Sequence, residues 1–343
     1  MLMDTNISFN TTTLYNNQSN PLSLYLLILI LIAVSSICGN LINLIITYRS
    51  PALWSISNCL LTALALTDFL TGLIAMPCAI MALYRSGDIA LCQAQGFLVT
   101  FFNGASLVMV AAVSIDRCSA VCNPYHYLSD LRVSRYAISI VSVWLIPLPL
   151  AAMPLLPLEK YGLGSYTYQN ICWISLSVDS SNYAAIGIFA ACMSSAIAVV
   201  ICCYSIIFFI AYNKSNTPII GFTGIRKSIR TTSLIVGSSL VCWLPITAIC
   251  IYSLTHYLTF GRKVIVSRGI EVIVMMLTYC NAAINPIIYA TTNSIIRKHL
   301  KSSIFLFRGI LVACPRCQRI SFYPNFLKTR TSRITPMELV MTV

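Results

Sequence analysis

Two acids stand in apolar surroundings where a carboxylate has to be accounted for. Asp68 sits in Leu64-Ala65-Leu66-Thr67-Asp68, inside a stretch from Ser50 to Tyr84 with no other charge. In lipid such a group costs on the order of 3 kcal/mol on insertion scales. It needs hydrogen-bond partners, a cation or a proton, and it lies too far from either end of its stretch to reach water. Asp116, followed by Arg117, ends the uncharged run from Ile89 to Ile115. Val99, Asn103, Ser106, Val110, Val113 and Arg117 recur at alternating steps of four and three, which is one stripe of a helix. The stripe is polar in its middle, so it faces other helices, with Arg117 about 27 Å along the axis from Val99. Asn281, Asn285 and Tyr289 form a second polar face, and Pro286 kinks the helix that carries it. Trp243 precedes Pro245 in Cys242-Trp243-Leu244-Pro245, a bulky lever at another kink. These side chains form a polar chain that ends at an arginine. Its chemistry is the holding and switching of charge. The histidines, His126, His256 and His299, fall in loops or tail and do not converge with an acid, so no enzyme is expected.

The elements that position such a chain follow from composition. The chain has 343 residues, is 58% hydrophobic and only 9% charged, against roughly a quarter charged in soluble domains. A helix needs about 20 apolar residues to cross a bilayer, and backbone polar groups in lipid must be paired internally. Seven uncharged or nearly uncharged stretches meet that length. The fold class is therefore an all-α membrane protein, a seven-helix bundle, with termini on opposite sides. Most of the 22 basic residues fall in alternate connections and the tail, which places those on the cytoplasmic side and the N-terminus outside. The net charge of +13 then faces anionic lipid and points away from nucleic acid. Asn6, Asn10 and Asn17 begin three glycosylation sequons on the predicted outer side. No signal-peptide pattern precedes them. Cys92 and Cys172, both near the outer face, are the natural disulfide pair, although spacing alone does not fix pairing.

Four regions are expected: a glycosylated outer segment 1–20, the membrane domain 21–292, an amphipathic helix 293–305 and a cytoplasmic tail 306–343. Ile296, Leu300 and Ile304 alternate with Arg297, Lys298 and Lys301, the pattern of a helix lying on the inner leaflet. Cys314 and Cys317 supply too few ligands for zinc and suit palmitoylation beside basic residues. The final Met341-Thr342-Val343 has the form of a weak PDZ-binding terminus.

The chain resembles a rhodopsin-like (class A) G-protein-coupled receptor across the membrane region. The resemblance rests on Gly39-Asn40, Leu64–Asp68, Cys92, Asp116-Arg117, Trp144, Tyr204, Cys242–Pro245 and Asn285–Tyr289, in order and in the right spans, and on Pro124 in the second inner loop. It implies an extracellular agonist that shifts a two-state equilibrium and a sixth helix that swings outward to admit a heterotrimeric G protein. Arrestin, a receptor kinase and membrane lipids are further implied partners. Asp116, Arg117, Tyr204, Trp243, Pro245, Asn285, Pro286 and Tyr289 would carry coupling, with Arg117 paired to Asp116 at rest. Asp68, Ser106, Asn281 and Asn285 match the family's sodium site, and oxygen ligands suit a hard cation. The ion is expected to act as a negative modulator. The implied pocket is Val99, Thr100, Asn103, Cys192, Ile246, Thr247, Cys250, Met275 and Tyr279, under Cys172 and Trp173. The implied location is the plasma membrane.

Departures from the family pattern carry information. Cys118 follows Arg117 where tyrosine is usual, Ala196 replaces a proline of the fifth helix, and Ser239 replaces a bulky aromatic below Trp243. No acid occurs between Asp179 and Glu271, so the sixth helix offers no carboxylate to restrain Arg117, and ligand-independent signalling is expected. Val99 stands where amine receptors carry an aspartate. Tyr279 replaces the lysine that binds retinal, and Cys250 replaces the asparagine that holds purines in adenosine receptors. The subfamily stays open, distantly aminergic or adenosine-like. A receptor-like protein with weak or no signalling is the alternative. A transporter fits less well, because no internal repeat pair is present.

Overall fold

The computed structural model describes residues 11–53, 56–85, 87–129, 132–168, 172–213 and 222–300. Asn6, Asn10, Cys314, Cys317 and the tail 306–343 lie outside these residues, as does the side chain of Asn17.

Seven helical stretches are long and apolar enough to cross a membrane: Ser23–Arg49, Asn58–Tyr84, Ile89–Cys122, Val133–Leu155, Tyr183–Asn213, Ile229–Phe260 and Arg268–Thr292. They are called the first to seventh spans below. Their outer surface is a belt of exposed Leu, Ile, Val and Phe, such as Leu31, Ile138, Phe209 and Ile273. The chain is a multi-pass membrane protein, and this belt is the face that lipid solvates. The third span is the axis, packed against the second, fourth, fifth and sixth. The seventh closes the bundle against the first and sixth.

The second span begins as α1 (Ile56–Leu70), widens into a π-turn at Thr71–Ala75 and resumes as α2 (Met76–Tyr84). Pro77 lacks an N–H to give Leu73 and its ring crowds that turn, so local widening relieves the clash. A carbonyl beside the widened turn is satisfied from outside the helix: the Ser36 hydroxyl donates to the backbone oxygen of Asp68 at 2.8 Å. The fifth span, with Ala196 and no proline, is one unbroken helix. Two short strands, β1 (Thr167–Tyr168) and β2 (Cys172–Trp173), pair antiparallel in the loop before it. Cys92 and Cys172 form a disulfide that ties this loop to the third span. Beyond the seventh span, Asn293 caps a new helix by accepting from the amides of Ile295 and Ile296 at 3.0 and 3.3 Å. Residues 294–300 are helical, and the rest of the expected 293–305 segment lies outside the described residues.

The kink at Pro286 is sealed from the first span. Proline leaves the carbonyl of Ala282 without its helical donor, and the Asn40 amide supplies one at 3.0 Å. Gly39 makes that approach feasible, since a Cβ there would lie 2.7 Å from Cγ of Pro286. Gly39→Ala is therefore expected to destabilise the protein by about 1–3 kcal/mol, the usual cost of overpacking. Thermal unfolding of purified protein in nanodiscs checks this, and an unchanged midpoint would refute it.

Candidate functional site

The centre of the bundle is polar. Asp68 is fully buried. Ser106 donates to its Oδ1 at 3.0 Å and Asn285 donates to its Oδ2 at 2.7 Å. The Asn281 amide donates to Ser106 Oγ at 3.1 Å, and the Ser239 hydroxyl donates to Asn281 Oδ1 at 2.8 Å. The structure thus brings Asp68, Ser106, Asn281 and Asn285 into one network that also engages Ser36 and Ser239. Ser239 reads in the sequence only as a missing aromatic. In the fold it is a polar link between the sixth and seventh spans. The Oδ1 atom of Asn285 is buried without a partner, beside a carboxylate and a hydroxyl. An unpaired amide oxygen, a carboxylate and a hydroxyl are the donor set a hard cation prefers, so the residues present fit sodium.

A second polar cluster lies at the far end of the third span. Asp116 and Arg117 are both nearly buried, and an Arg117 Nη sits 3.4 Å from Asp116 Oδ2. That is a long contact for a charged pair. The carboxylate has closer company. Tyr136 of the fourth span donates to Oδ1 at 2.5 Å. Tyr127, on a short helix (Pro124–Ser129), donates to the same oxygen at 3.1 Å. Neither tyrosine is legible from the motif, because loop placement brings them in. Tyr204 and Tyr289 are buried on the fifth and seventh spans, and the Tyr289 hydroxyl has no hydrogen-bond partner. The Cys118 thiol lies 3.7 Å from that of Cys122 and also faces Cys203 of the fifth span.

Between these spans, toward the disulfide end, lies a cavity of about 300 Å³. Of the expected pocket residues, Thr100, Asn103, Cys192, Ile246 and Cys250 line it. Val99, Thr247, Met275 and Tyr279 do not. Val99 and Tyr279 are fully buried with Met275 in apolar packing against the first and second spans. Thr247 turns its hydroxyl back to the carbonyl of Trp243 at 2.9 Å. Met275 lines a much smaller pocket beside Glu271. The sequence reading set the pocket nearer the seventh span than this cavity lies. The fourth and fifth spans supply walls it did not include, among them Pro147, Leu150, Phe189 and Ala196. A uniformly apolar span carries no polar stripe from which its inward face can be read. Trp243 closes another wall, next to Leu107.

Trp173, Ile174 and Leu176 of the loop roof the cavity. Besides the disulfide, hydrogen bonds tie the roof to the surrounding spans. The Cys172 amide donates to Gln95 Oε1 at 3.3 Å, and the Leu176 amide donates to Glu271 Oε1 at 2.9 Å. The Tyr166 hydroxyl donates to the Ala151 carbonyl at 3.0 Å and meets the Thr100 hydroxyl at 3.2 Å. A neighbouring stretch is fastened to the connection before the seventh span, where Val264 donates to the Val178 carbonyl at 3.0 Å and Lys263 pairs with Asp179 at 3.0 Å. Hydrogen bonding from Ser181, with help from Lys263, holds the Asp179 carboxyl below its ordinary range. A depressed carboxylate contributes stability that is present above the unfolded value of about 3.9 and is lost as pH falls through the folded value. Hydrogen exchange of the 261–268 segment is therefore expected to stay constant from neutral to mildly acidic pH and to speed up, relative to intrinsic rates, only below about pH 4. Loosening already at pH 6 would refute this.

Comparison with known proteins converges on one family. The profile of the 7 transmembrane receptor (rhodopsin family) matches residues 39–289. The chain is similar to chimpanzee (Pan troglodytes) trace amine-associated receptor 1, with 27% identity over 320 residues, covering 86% of this chain and 92% of that receptor. It is similar to the mouse (Mus musculus) trace amine-associated receptor 5, at 29% identity covering 89% and 91%. It is also similar to the guinea pig (Cavia porcellus) histamine H2 receptor, at 28% identity covering 79% and 76%. With its seven spans, its third-span disulfide and its Asp116-Arg117 pair, the chain belongs to the rhodopsin family of seven-transmembrane, G-protein-coupled receptors.

Proposed function

We propose that this receptor sits in the plasma membrane with its N-terminus and disulfide end outside, answers a ligand that is not an amine, and signals appreciably without one. The carrying observation is the state of Arg117. One restraint on it is Asp116 at 3.4 Å, a carboxylate already shared with two tyrosine hydroxyls. The sixth span, Ile229–Phe260, contains no acid that could add a further restraint. A carboxylate shared in this way, with no acid on the sixth span to reinforce it, favours the active member of a two-state pair. Activation moves the inner end of the sixth helix outward and exposes Arg117 to the G protein, as in the family. Arrestin and a receptor kinase then act on the same inner face.

The relatives named above are amine receptors, but an ammonium ion in an apolar cavity needs an anionic partner. Here Val99 stands at the amine-binding position, and among the described residues no acid lines the cavity. Glu271 borders a smaller pocket and is engaged by the Leu176 amide. Sodium held by Asp68 and Ser106 favours the inactive state.

A G-protein activation panel in cells, at verified surface expression, tests this. Ligand-free activation of at least one G-protein class above mock-transfected cells is the expected result, with no further response to histamine or trace amines. Activity at the mock level, or saturable activation by an amine, would overturn the corresponding part.

A further inference from the structure

We infer that the ligand is an uncharged, largely apolar small molecule carrying a hydrogen-bond acceptor, and that it enters the cavity sideways from the bilayer, between the fourth and fifth spans. This rests on the receptor reading above and names its ligand class.

Three observations lead there. The first is the lining. Among the described residues, apart from Thr100, Asn103 and Ser195, the walls are aliphatic, aromatic, thiol or thioether side chains with one glycine, and none is charged. An ionic ligand would lose its hydration and find no counter-charge. Asn103 offers a handle for an oxygen acceptor. Its amide carries two protons, one of them spent on a long 3.4 Å bond to Thr278.

The second observation is the roof. A ligand arriving from water would have to pass a loop whose Ile174 and Leu176 are buried. That loop is held by a disulfide and by the bonds to Gln95 and Glu271. Opening it breaks several of these links together.

The third observation is the open flank. The fourth and fifth spans each lean on the third and make little contact with one another. Ile146 of the fourth span and Cys192 and Ser195 of the fifth line the cavity and are also exposed on the outer surface of the bundle. Ile146 is 52% exposed. Residues that belong to the cavity wall and to the lipid-facing surface at once mark a side door. A molecule that already partitions into lipid meets that door without leaving the apolar phase.

The test uses the full-length receptor in phosphatidylcholine nanodiscs and a diazirine-bearing long-chain alcohol as the probe, with its ammonium analogue alongside. Saturable photolabelling of third- and fifth-span cavity residues is expected, competed by the unlabelled alcohol and absent with the ammonium analogue. Ala196→Trp, which fills the cavity, is expected to weaken labelling by about tenfold, equivalent to 1.4 kcal/mol. Ile146→Trp, at the flank, is expected to slow its onset. Labelling that never saturates, or equal labelling by the ammonium analogue, would overturn the ligand class. Val199 is a fifth-span residue of the same cavity wall; if Ile146→Trp and Val199→Trp, both folded with the disulfide formed, label at the wild-type rate, the route is wrong. G-protein nucleotide exchange on the same nanodiscs separates the two readings. Saturable labelling without any exchange removes the signalling proposal and leaves the ligand class standing.

Discussion

Asp116→Asn raises ligand-free nucleotide exchange by on the order of tenfold, and Tyr136→Phe lowers it. The two signs follow from one carboxylate with three claimants. Asp116 is bonded to Tyr136 at 2.5 Å and to Tyr127 at 3.1 Å, while Arg117 stands off at 3.4 Å. Hydrogen bonds to charged groups are worth about 1.5–3 kcal/mol, and 1.4 kcal/mol is a factor of ten in an equilibrium. Removing the charge of Asp116 removes the attraction that keeps Arg117 from a G protein. Removing the Tyr136 hydroxyl returns acceptor capacity to Asp116, which then holds Arg117 more closely. Initial rates of nucleotide exchange on matched amounts of receptor give the answer. If Tyr136→Phe raised exchange as Asp116→Asn does, the phenol would be restraining the arginine by fixing the short inner helix, and the competition argument would fail.

The second large effect concerns Asp68. Asp68→Asn keeps a folded receptor and removes its response to sodium. Asp68→Leu is expected to lose most of the folded protein. The introduced amide can still accept from Asn285 through its oxygen and donate to Ser106, so the network survives without its charge. Leucine leaves the donors from Ser106 and Asn285 facing a hydrocarbon, at about 1–3 kcal/mol for each unsatisfied group. Against a total stability of about 5–15 kcal/mol, that loss is severe. Exchange rates measured in sodium and in an equal concentration of a bulky organic cation should differ for wild type and coincide for Asp68→Asn. A sodium response retained in Asp68→Asn would remove the ion from this site.

The parts of the site written in periodic polar residues were legible before any coordinates. Asp68, Ser106, Asn281 and Asn285 stand out because a polar group in a long apolar helix has few places to go. The helical period says which of them share a face. The seven spans and the Cys92–Cys172 bridge were legible for similar reasons of length, charge and side. Tyr127 and Tyr136 were not, because a phenol near a membrane boundary is ordinary and its partner depends on how a short loop helix docks. Ser239 looked like a loss, since a substitution shows what has gone and not what the new hydroxyl will reach. The expected pocket lay nearer the seventh span, with Val99 and Tyr279 inside it, because the fourth and fifth spans carry no polar marker of their inward face. Met275 and Tyr279 pack with Val99 in one apolar cluster, and the open volume lies among the third, fourth, fifth and sixth spans.

The bond from Asn40 to the carbonyl of Ala282 spans 242 positions of the chain, and that from Asn285 to Asp68 spans 217. Such contacts form last in synthesis and have the largest loop-closure cost. Until the seventh span is inserted, a newborn chain holds an amide on its first helix and a carboxylate on its second that lack these partners. Biogenesis therefore has a built-in checkpoint. A nonsense mutation between the second and seventh spans leaves the polar centre open to hydrocarbon, and the cell's quality control sees a misfolded membrane protein rather than a shortened receptor.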